Sequence, residues 1–319
     1  MRLPDENKIN FLVGVHVNFA QALTGGIVAL HKLAFELAKR GHNVFTFCNP
    51  EYPHENIKVI NSEVKNLYES EPEIYWEQFQ YPLNKTVSIY PQIIKGNPYN
   101  TKHVVRWIQY HTEKEIEQQY GDDDVYFNYG NFKTFKNVDE KKLTVFNYNF
   151  NKLFITNKGS RKGFCHLSHK NTPPNGNEVF KTFNSFELNN WKRMGAYDYL
   201  REQFNKFEYF LTYDQKSFFT VAATLCGCKA IILKSKIHTE ERENAFTSSN
   251  DYGKELTSTE YRLNNPIQMY GIAYGIEDIS WANKTIDFAT DYINELEKID
   301  QKSVDEFVSY WEKKILNNG

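Results

Sequence analysis

Near the start of the chain, the pattern of apolar and polar positions changes period twice. Ile9–Val17 (Ile-Asn-Phe-Leu-Val-Gly-Val-His-Val) is a β-rich apolar run that leads through Asn18–Thr24 into Gly25-Gly26. From there the period is helical: Ile27, Leu30, Ala34, Leu37 and Ala38 share one face, His31, Lys32, Lys39 and Arg40 take the other, and Gly41 stands where a helix ends. Asn43–Cys48 is strand-like again. Strand, glycine turn, helix and strand make a βαβ unit, whose right-handed crossover implies a parallel sheet.

The alternation continues. Short strands are expected at Ile57–Ile60, Thr86–Tyr90, Val104–Gln109 and Val125–Tyr129, and a charged, turn-rich stretch at Lys133–Lys142 ends the series. A second series is expected to open with a strand at Lys152–Thr156, the glycine-bearing loop Asn157–Gly163 and a strand at Phe164–Ser168. It continues with a helix at Trp191–Gln203, a strand at Tyr209–Thr212, a helix at about Lys216–Leu225 and a strand at Lys229–Leu233. Two helices, Ile279–Lys298 and Val304–Leu316, close the chain by pattern. A length of 319 residues suits two domains of ~150 residues. We place the boundary near 145, with a first domain over 1–145 and a second over 146–300.

Composition narrows the class. Hydrophobic residues make up 40% and charged residues 24%, which excludes collagenous and low-complexity chains and describes a globular protein. Lys+Arg 38 against Asp+Glu 40 leaves a formal charge of −2, without the basic excess of a general nucleic-acid binder. No apolar run approaches the ~20 residues of a transmembrane helix. Four cysteines at irregular spacing give neither a disulfide framework nor a zinc site, and Met1–Lys8 holds acids and a proline where a signal peptide needs an apolar core. A cytoplasmic protein is expected. Composition does not fix the oligomeric state.

Ligands of open parallel sheets bind beyond the carboxyl ends of the strands, so the loops after each strand carry the candidate chemistry. Gly25-Gly26 allows close backbone approach at a helix start, or merely tightens a turn. It lacks the full G-x-G-x-x-G pattern, and Phe47-Cys48-Asn49 replaces the acid that a dinucleotide site needs. Arg161 and Lys162, on a loop after an expected strand, suit a diphosphate, with Lys170 as a further contact, or are solvated surface. Tyr213-Asp214 begins a helix in which Ser217 and Thr220 either cap the first turn or face phosphates, with Asp214 reaching a sugar. His16 and His111 stand at strand ends, where each could bind a hydroxyl or act as general base. Asp122-Asp123-Asp124 precedes its strand rather than ending one, which favours a solvated turn over a metal-binding D-x-D.

Taken in order, these pieces resemble the GT-B glycosyltransferases. Thr24-Gly25-Gly26, Leu33-Ala34, Leu37-Ala38 and Gly41-His42-Asn43-Val44 resemble the family's glycine-rich opening. Tyr90-Pro91-Gln92 to Gly96-Asn97-Pro98, followed by Val104-Val105-Arg106-Trp107, resembles a narrower bacterial and viral set of transferase-like proteins with an acid where Gln92 stands. Arg161 to Lys170 resembles the family's diphosphate clamp, and Asp214 to Gly227 its E-x7-E region, with Ala222 at the second acidic position. The resemblance implies a GT-B fold of two Rossmann-like domains facing a cleft, with the C-terminal helix, 301–319, packing back on the first. It implies a retaining, family-4-like, metal-independent transferase with a UDP- or GDP-sugar as substrate, a glycan or other hydroxyl as acceptor, and no cofactor. Arg161, Lys162 and Lys170 would then stabilise the leaving diphosphate, and Gly25-Gly26 would close on it. Asp214 and His111 would contact the transferred sugar, and His16 the acceptor or sugar. An inverting enzyme would use His16 or His111 as base. The alternatives are a catalytically silent carbohydrate-binding protein of the same fold and a metal-dependent D-x-D transferase.

Overall fold

The computed structural model describes residues 7–14, 25–47, 83–110, 112–129, 132, 134–136, 139, 141–145, 153–168, 172–189, 196–214, 217–234 and 270–316. The expected strand Ile57–Ile60 and the candidates His16, His111 and Lys170 lie outside these residues. The chain divides into two compact units, Met1–Asn147 with Glu297–Gly319, and Tyr148–Leu296. Each is a mixed α/β unit built on a parallel sheet, consistent with two Rossmann-like domains.

In the first unit the sheet has the order β2-β1-β3-β4-β5-β6, from β1 (Asn10–Gly14), β2 (Asn43–Phe47), β3 (Thr86–Pro91), β4 (His103–Ile108), β5 (Val125–Asn128) and β6 (Lys141–Lys142). Every pairing is parallel. Helix α1 (Gly25–Lys39) crosses from β1 to β2 and buries Leu30, Leu33, Ala34 and Leu37 against Phe11, Val13, Val87 and Val105. It ends as its glycine predicts. Gly41 has φ +83, its N–H donates to the Ala38 carbonyl at 2.9 Å, and the His42 N–H reaches the Leu37 carbonyl at 3.4 Å, the paired closure of a Schellman motif.

The polar face of α1 departs from a solvated surface. It is covered by α7 (Ala289–Ile315), one continuous helix where the pattern predicts two. Lys32 is buried and donates to Glu297 at 2.7 Å and Asp300 at 2.8 Å, while Arg40 binds Asp305 at 2.7 Å and the Gln301 carbonyl. Burial alone would lower the Lys32 pKa, but the two carboxylates outweigh it and the net shift is upward. One turn on, Val304, Phe307, Val308 and Trp311 join the core over the sheet. The long-range ion cluster therefore fixes where α7 lies along α1, and apolar burial supplies most of the stabilisation, at ~25 cal/mol per Å².

The second sheet has the order β11-β10-β9-β7-β8, from β7 (Phe164–His166), β8 (Phe186–Glu187), β9 (Tyr209–Thr212), β10 (Lys229–Ile232) and β11 (Ile272–Tyr274), again all parallel. Its helices are α3 (Gly176–Thr182), α4 (Ala196–Lys206), α5 (Phe218–Leu225) and α6 (Ile279–Thr285); the short α2 (Lys114–Glu117) belongs to the first unit. Lys152–Thr156 is not a strand in its described residues: 154–156 is an exposed loop, and β7 is the first strand of this sheet. Cys165, Cys226 and Cys228 are free and buried. Among the described residues no helix is long and apolar enough to cross a membrane.

Two core histidines set an acid limit. Burial lowers the His31 pKa to about 3; burial, then Lys8 and Arg40, lowers that of His42 to about 4, and Glu312, 3.8 Å from His42 and largely solvated, does not offset them. In the unfolded chain both titrate near ~6.5, so on acidification the unfolded state binds protons first. Stability should be intact above about pH 6.5 and fall steadily toward pH 4. Urea midpoints across that range would show the decline, and His42→Gln should flatten part of it; a flat wild-type profile would contradict the assignment.

Candidate functional site

Because both sheets are wholly parallel, each has a carboxyl edge where helices begin and an amino edge where they end. In each, neighbouring strands β1 and β3, or β7 and β9, send their connections in opposite directions, which opens a crevice at the carboxyl edge.

In the second unit, Tyr213 and Asp214 follow β9 at this edge and lead into α5. The Asp214 N–H donates to Thr212 Oγ1 at 3.0 Å, which shapes the turn. Ser217 is the N-cap of α5, its Oγ accepting from the Phe219 N–H at 3.1 Å, and Thr220 Oγ1 donates to the Ser217 carbonyl at 2.7 Å. Both hydroxyls thus serve the first turn of the helix, Ser217 as its cap. The apolar α5 carries no acidic residue in its first turn, so the positive end of its dipole is not offset from within. Tyr213 is a core residue: its ring centre lies 5.6 Å from that of Phe180, and a Cβ on Gly176 would come within 3.0 Å of its Cε2. Burial raises its pKa.

One residue at this edge was missed by sequence reasoning. Tyr197, in the first turn of α4, packs edge-on to Phe218, the first residue of α5, with ring centres 6.0 Å apart. Its hydroxyl is buried and has no hydrogen-bond partner among the described residues. A buried phenol without a partner costs about 1–3 kcal/mol, a penalty that a ligand group reaching it would relieve. Its helical spacing marks Tyr197 only as core.

Arg161 and Lys162 lie elsewhere. Their loop runs into β7 rather than out of a strand, which puts it at the amino edge. The guanidinium of Arg161 donates to the Cys226 and Phe204 carbonyls, to the Asn157 carbonyl at 2.9 Å and to Asn205 Oδ1 at 3.2 Å. Cys226 is the C-cap of α5, and Phe204 is in the last turn of α4. The arginine therefore closes two helix C-termini, where unpaired carbonyls and the negative dipole end favour a cation. Gly227, with φ +77, completes the α5 end, and a Cβ there would meet the guanidinium at 2.8 Å. Lys162 is exposed beside it.

At the carboxyl edge of the first unit, Gly26, in the first turn of α1, lies next to Gln109, which follows β4. Gln109 Nε2 donates to the Gly26 carbonyl at 3.2 Å, and a Cβ on Gly26 would stand 3.0 Å from Gln109 Oε1. The Gln109 N–H in turn donates to Gln92 Oε1 at 3.1 Å. The described contact at Gly26 is thus a side-chain amide, and Gln92 has a neutral, backbone-binding task. Gly25 opens α1.

The motif around Gln92 is held by Arg106, which is fully buried on β4. It pairs with Asp124 at 2.6 Å and donates to the Ile94 carbonyl at 2.9 Å and to the Gly96 carbonyl. The Tyr120 ring centre lies 4.2 Å from its guanidinium carbon. Tyr90 Oη donates to Asn97 Oδ1 at 3.1 Å and accepts the Tyr99 N–H, closing the same loop. Asp124 is thus engaged as the partner of a buried cation, while Asp122 and Asp123 are exposed. Among the described residues no group of three or more His, Cys, Asp or Glu could hold a metal ion.

No family model matches the chain, and no curated protein is detectably similar to it. The chemistry of the two edges is what remains to guide function.

Arg161→Met should lower folding stability by about 1–3 kcal/mol through the carbonyls it orphans, yet leave any UDP- or GDP-induced rise in melting temperature unchanged. Gly227→Ala should destabilise as well, by strain at positive φ. Loss of nucleotide binding in a folded Arg161→Met protein would return the arginine to the ligand site.

Proposed function

We propose that the protein is a glycosyltransferase that moves a sugar from a UDP- or GDP-linked donor to a hydroxyl of a glycan or other acceptor. On this reading its two sheets are the halves of a GT-B fold flanking a central cleft, and transfer proceeds with retention and without a metal ion. The observation that carries the reading is the carboxyl edge of the second sheet, where the connections from β7 and β9 leave in opposite directions and where Asp214, the start of α5 and Tyr197, whose hydroxyl has no partner among the described residues, lie.

As the bond from the anomeric carbon to the diphosphate oxygen breaks, negative charge grows on the leaving group. The amino end of α5 offsets that charge, with Lys170, which follows β7 in the sequence, as a further cation. Tyr197 donates to the same donor molecule. Arg161 and Lys162 are left out, because the loop that holds them is at the opposite edge. Asp214 and His111 contact the transferred sugar, and His16 the acceptor or sugar; if transfer inverts, one of the histidines is the base. Gln109 and Gly26 set the backbone of the first unit's edge. The reading rests on the sequence resemblance together with this edge.

A second reading, a carbohydrate-binding protein of the same fold that transfers nothing, is favoured by Ala222. It stands at the family's second acidic position and is fully buried in α5, where it offers a methyl group and no ribose ligand.

A thermal-shift screen of UDP- and GDP-sugars with EDTA present tests the proposal. Donor at 100 times its Kd should add about 2.7 kcal/mol of stability. Tyr197→Phe should keep or raise the melting temperature of the free protein, since it removes an unpaired buried hydroxyl, while shrinking the donor-induced shift. Glycan binding with neither transfer nor hydrolysis across a broad donor panel would favour the second reading, and no shift with any donor would contradict the first.

A further inference from the structure

The loop with the chain's most suggestive cations is left without a role at the amino edge of the second sheet, and its surroundings are those of an interaction surface. Four hydrogen bonds to one residue, Asn205, hold it in place. Asn205 Oδ1 accepts the N–H groups of Thr156 at 2.7 Å and Asn157 at 3.0 Å. The Asn205 carbonyl accepts from Asn157 Nδ2 at 3.0 Å, and Asn205 Nδ2 donates to the Phe154 carbonyl at 3.0 Å. So fixed, the loop leaves Phe154 43% and Ile155 46% exposed, although the Arg201 guanidinium stands 5.0 Å from the Phe154 ring centre. Lys158 and Lys162 are exposed on the same loop and have no ion-pair partner among the described residues.

The apolar character extends along this edge. Phe186, 48% exposed, stacks on Phe207 at 5.4 Å, and Phe207 lies beside Gly163 at the loop's end. Nearby acids are mostly spent: Asp198 pairs with Arg201, Glu202 with Lys206 and Glu208 with Lys229, which leaves Glu187. Against it stand Lys158, Lys162 and Arg161, whose contacts are carbonyls and an amide. The surface is apolar at its centre and net positive.

We propose that this edge docks on an anionic lipid surface. Phe154 and Ile155 enter the boundary between headgroups and acyl chains, and Lys158 and Lys162 meet the lipid phosphates. A branched aliphatic side chain cannot stack on a base, and two free lysines are few beside the 6–10 phosphate contacts of a typical nucleic-acid complex, so lipid fits better than nucleic acid. A preformed loop loses little freedom on insertion. Attachment through one loop is weak, reversible and sensitive to salt, and it leaves the carboxyl edge free. The proposal is independent of the sugar-transfer reading.

The test is sedimentation of the full chain with phosphatidylcholine vesicles, with and without phosphatidylglycerol. Binding is expected only to the anionic vesicles and should be released by salt. Lys158→Gln with Lys162→Gln should weaken it about fivefold per lysine, and Phe154→Ser with Ile155→Ser should abolish it, while Lys302→Gln on α7 should leave it unchanged. Phe154→Trp, which preserves an aromatic side chain and so guards against misfolding as the explanation, should shift its emission to the blue on anionic vesicles. Absence of binding, binding unaffected by either double variant, or no emission shift overturns the proposal. So does binding to polyuridylate in its place that is lost with the lysines but kept without Phe154 and Ile155.

Discussion

Strand direction is the constraint from which the rest of the structure follows. When every strand of a sheet is parallel, every connecting helix must return, so helix starts collect at one edge and helix ends at the other. The two edges then have opposite electrostatics before any side chain is considered. In the second unit the chain follows this polarity. Arg161 sits where the C-termini of α4 and α5 expose carbonyls, while the start of α5, with no acid in its first turn, and the Tyr197 hydroxyl, without a partner among the described residues, lie at the opposite edge. A cation in a glycine-bearing loop is a phosphate ligand at one edge and a helix cap at the other.

Buried charge does comparable work in the first unit. Arg106 collects Asp124 and two loop carbonyls between Tyr90 and Tyr120, and so turns the short connection from β3 to β4 without a helix. Lys32 ties α1 to α7 through Glu297 and Asp300. Removing one partner of such a group leaves an uncompensated buried charge, a loss of about 3–5 kcal/mol, whereas an exposed pair such as Lys302–Glu306 contributes little. Arg106 holds the loop at the carboxyl edge of the first sheet, where Gln92, Gln109 and Gly26 meet.

The opening βαβ unit was legible because its signals are local: an apolar run, a three-and-four spacing, and Gly41 at a left-handed position. Most strands were legible for the same reason. What the sequence could not convey depends on distant partners. Leu-Phe-Ile-Thr at 153–156 has strand composition, yet it is held as a loop by Asn205, about fifty residues on. His31 and Lys32 have the spacing of a solvent face, yet both are buried, Lys32 against Glu297 and Asp300 of α7. Asp300 reads as a break between two helices, and its carboxylate in fact accepts from Lys32 within one continuous helix. Of the candidate site, Asp214 and the start of α5 stand at the expected edge. Arg161 does not, because its edge was inferred from a strand that is not there.

Hydrogen exchange with and without UDP and GDP tests most directly whether, as proposed, donor binds at the carboxyl edge of the second sheet. The account predicts slower exchange of the amides from Tyr213 to Thr220 and around Tyr197, with 157–163 unchanged. Slowing confined to 157–163, or none with either nucleotide, would contradict it.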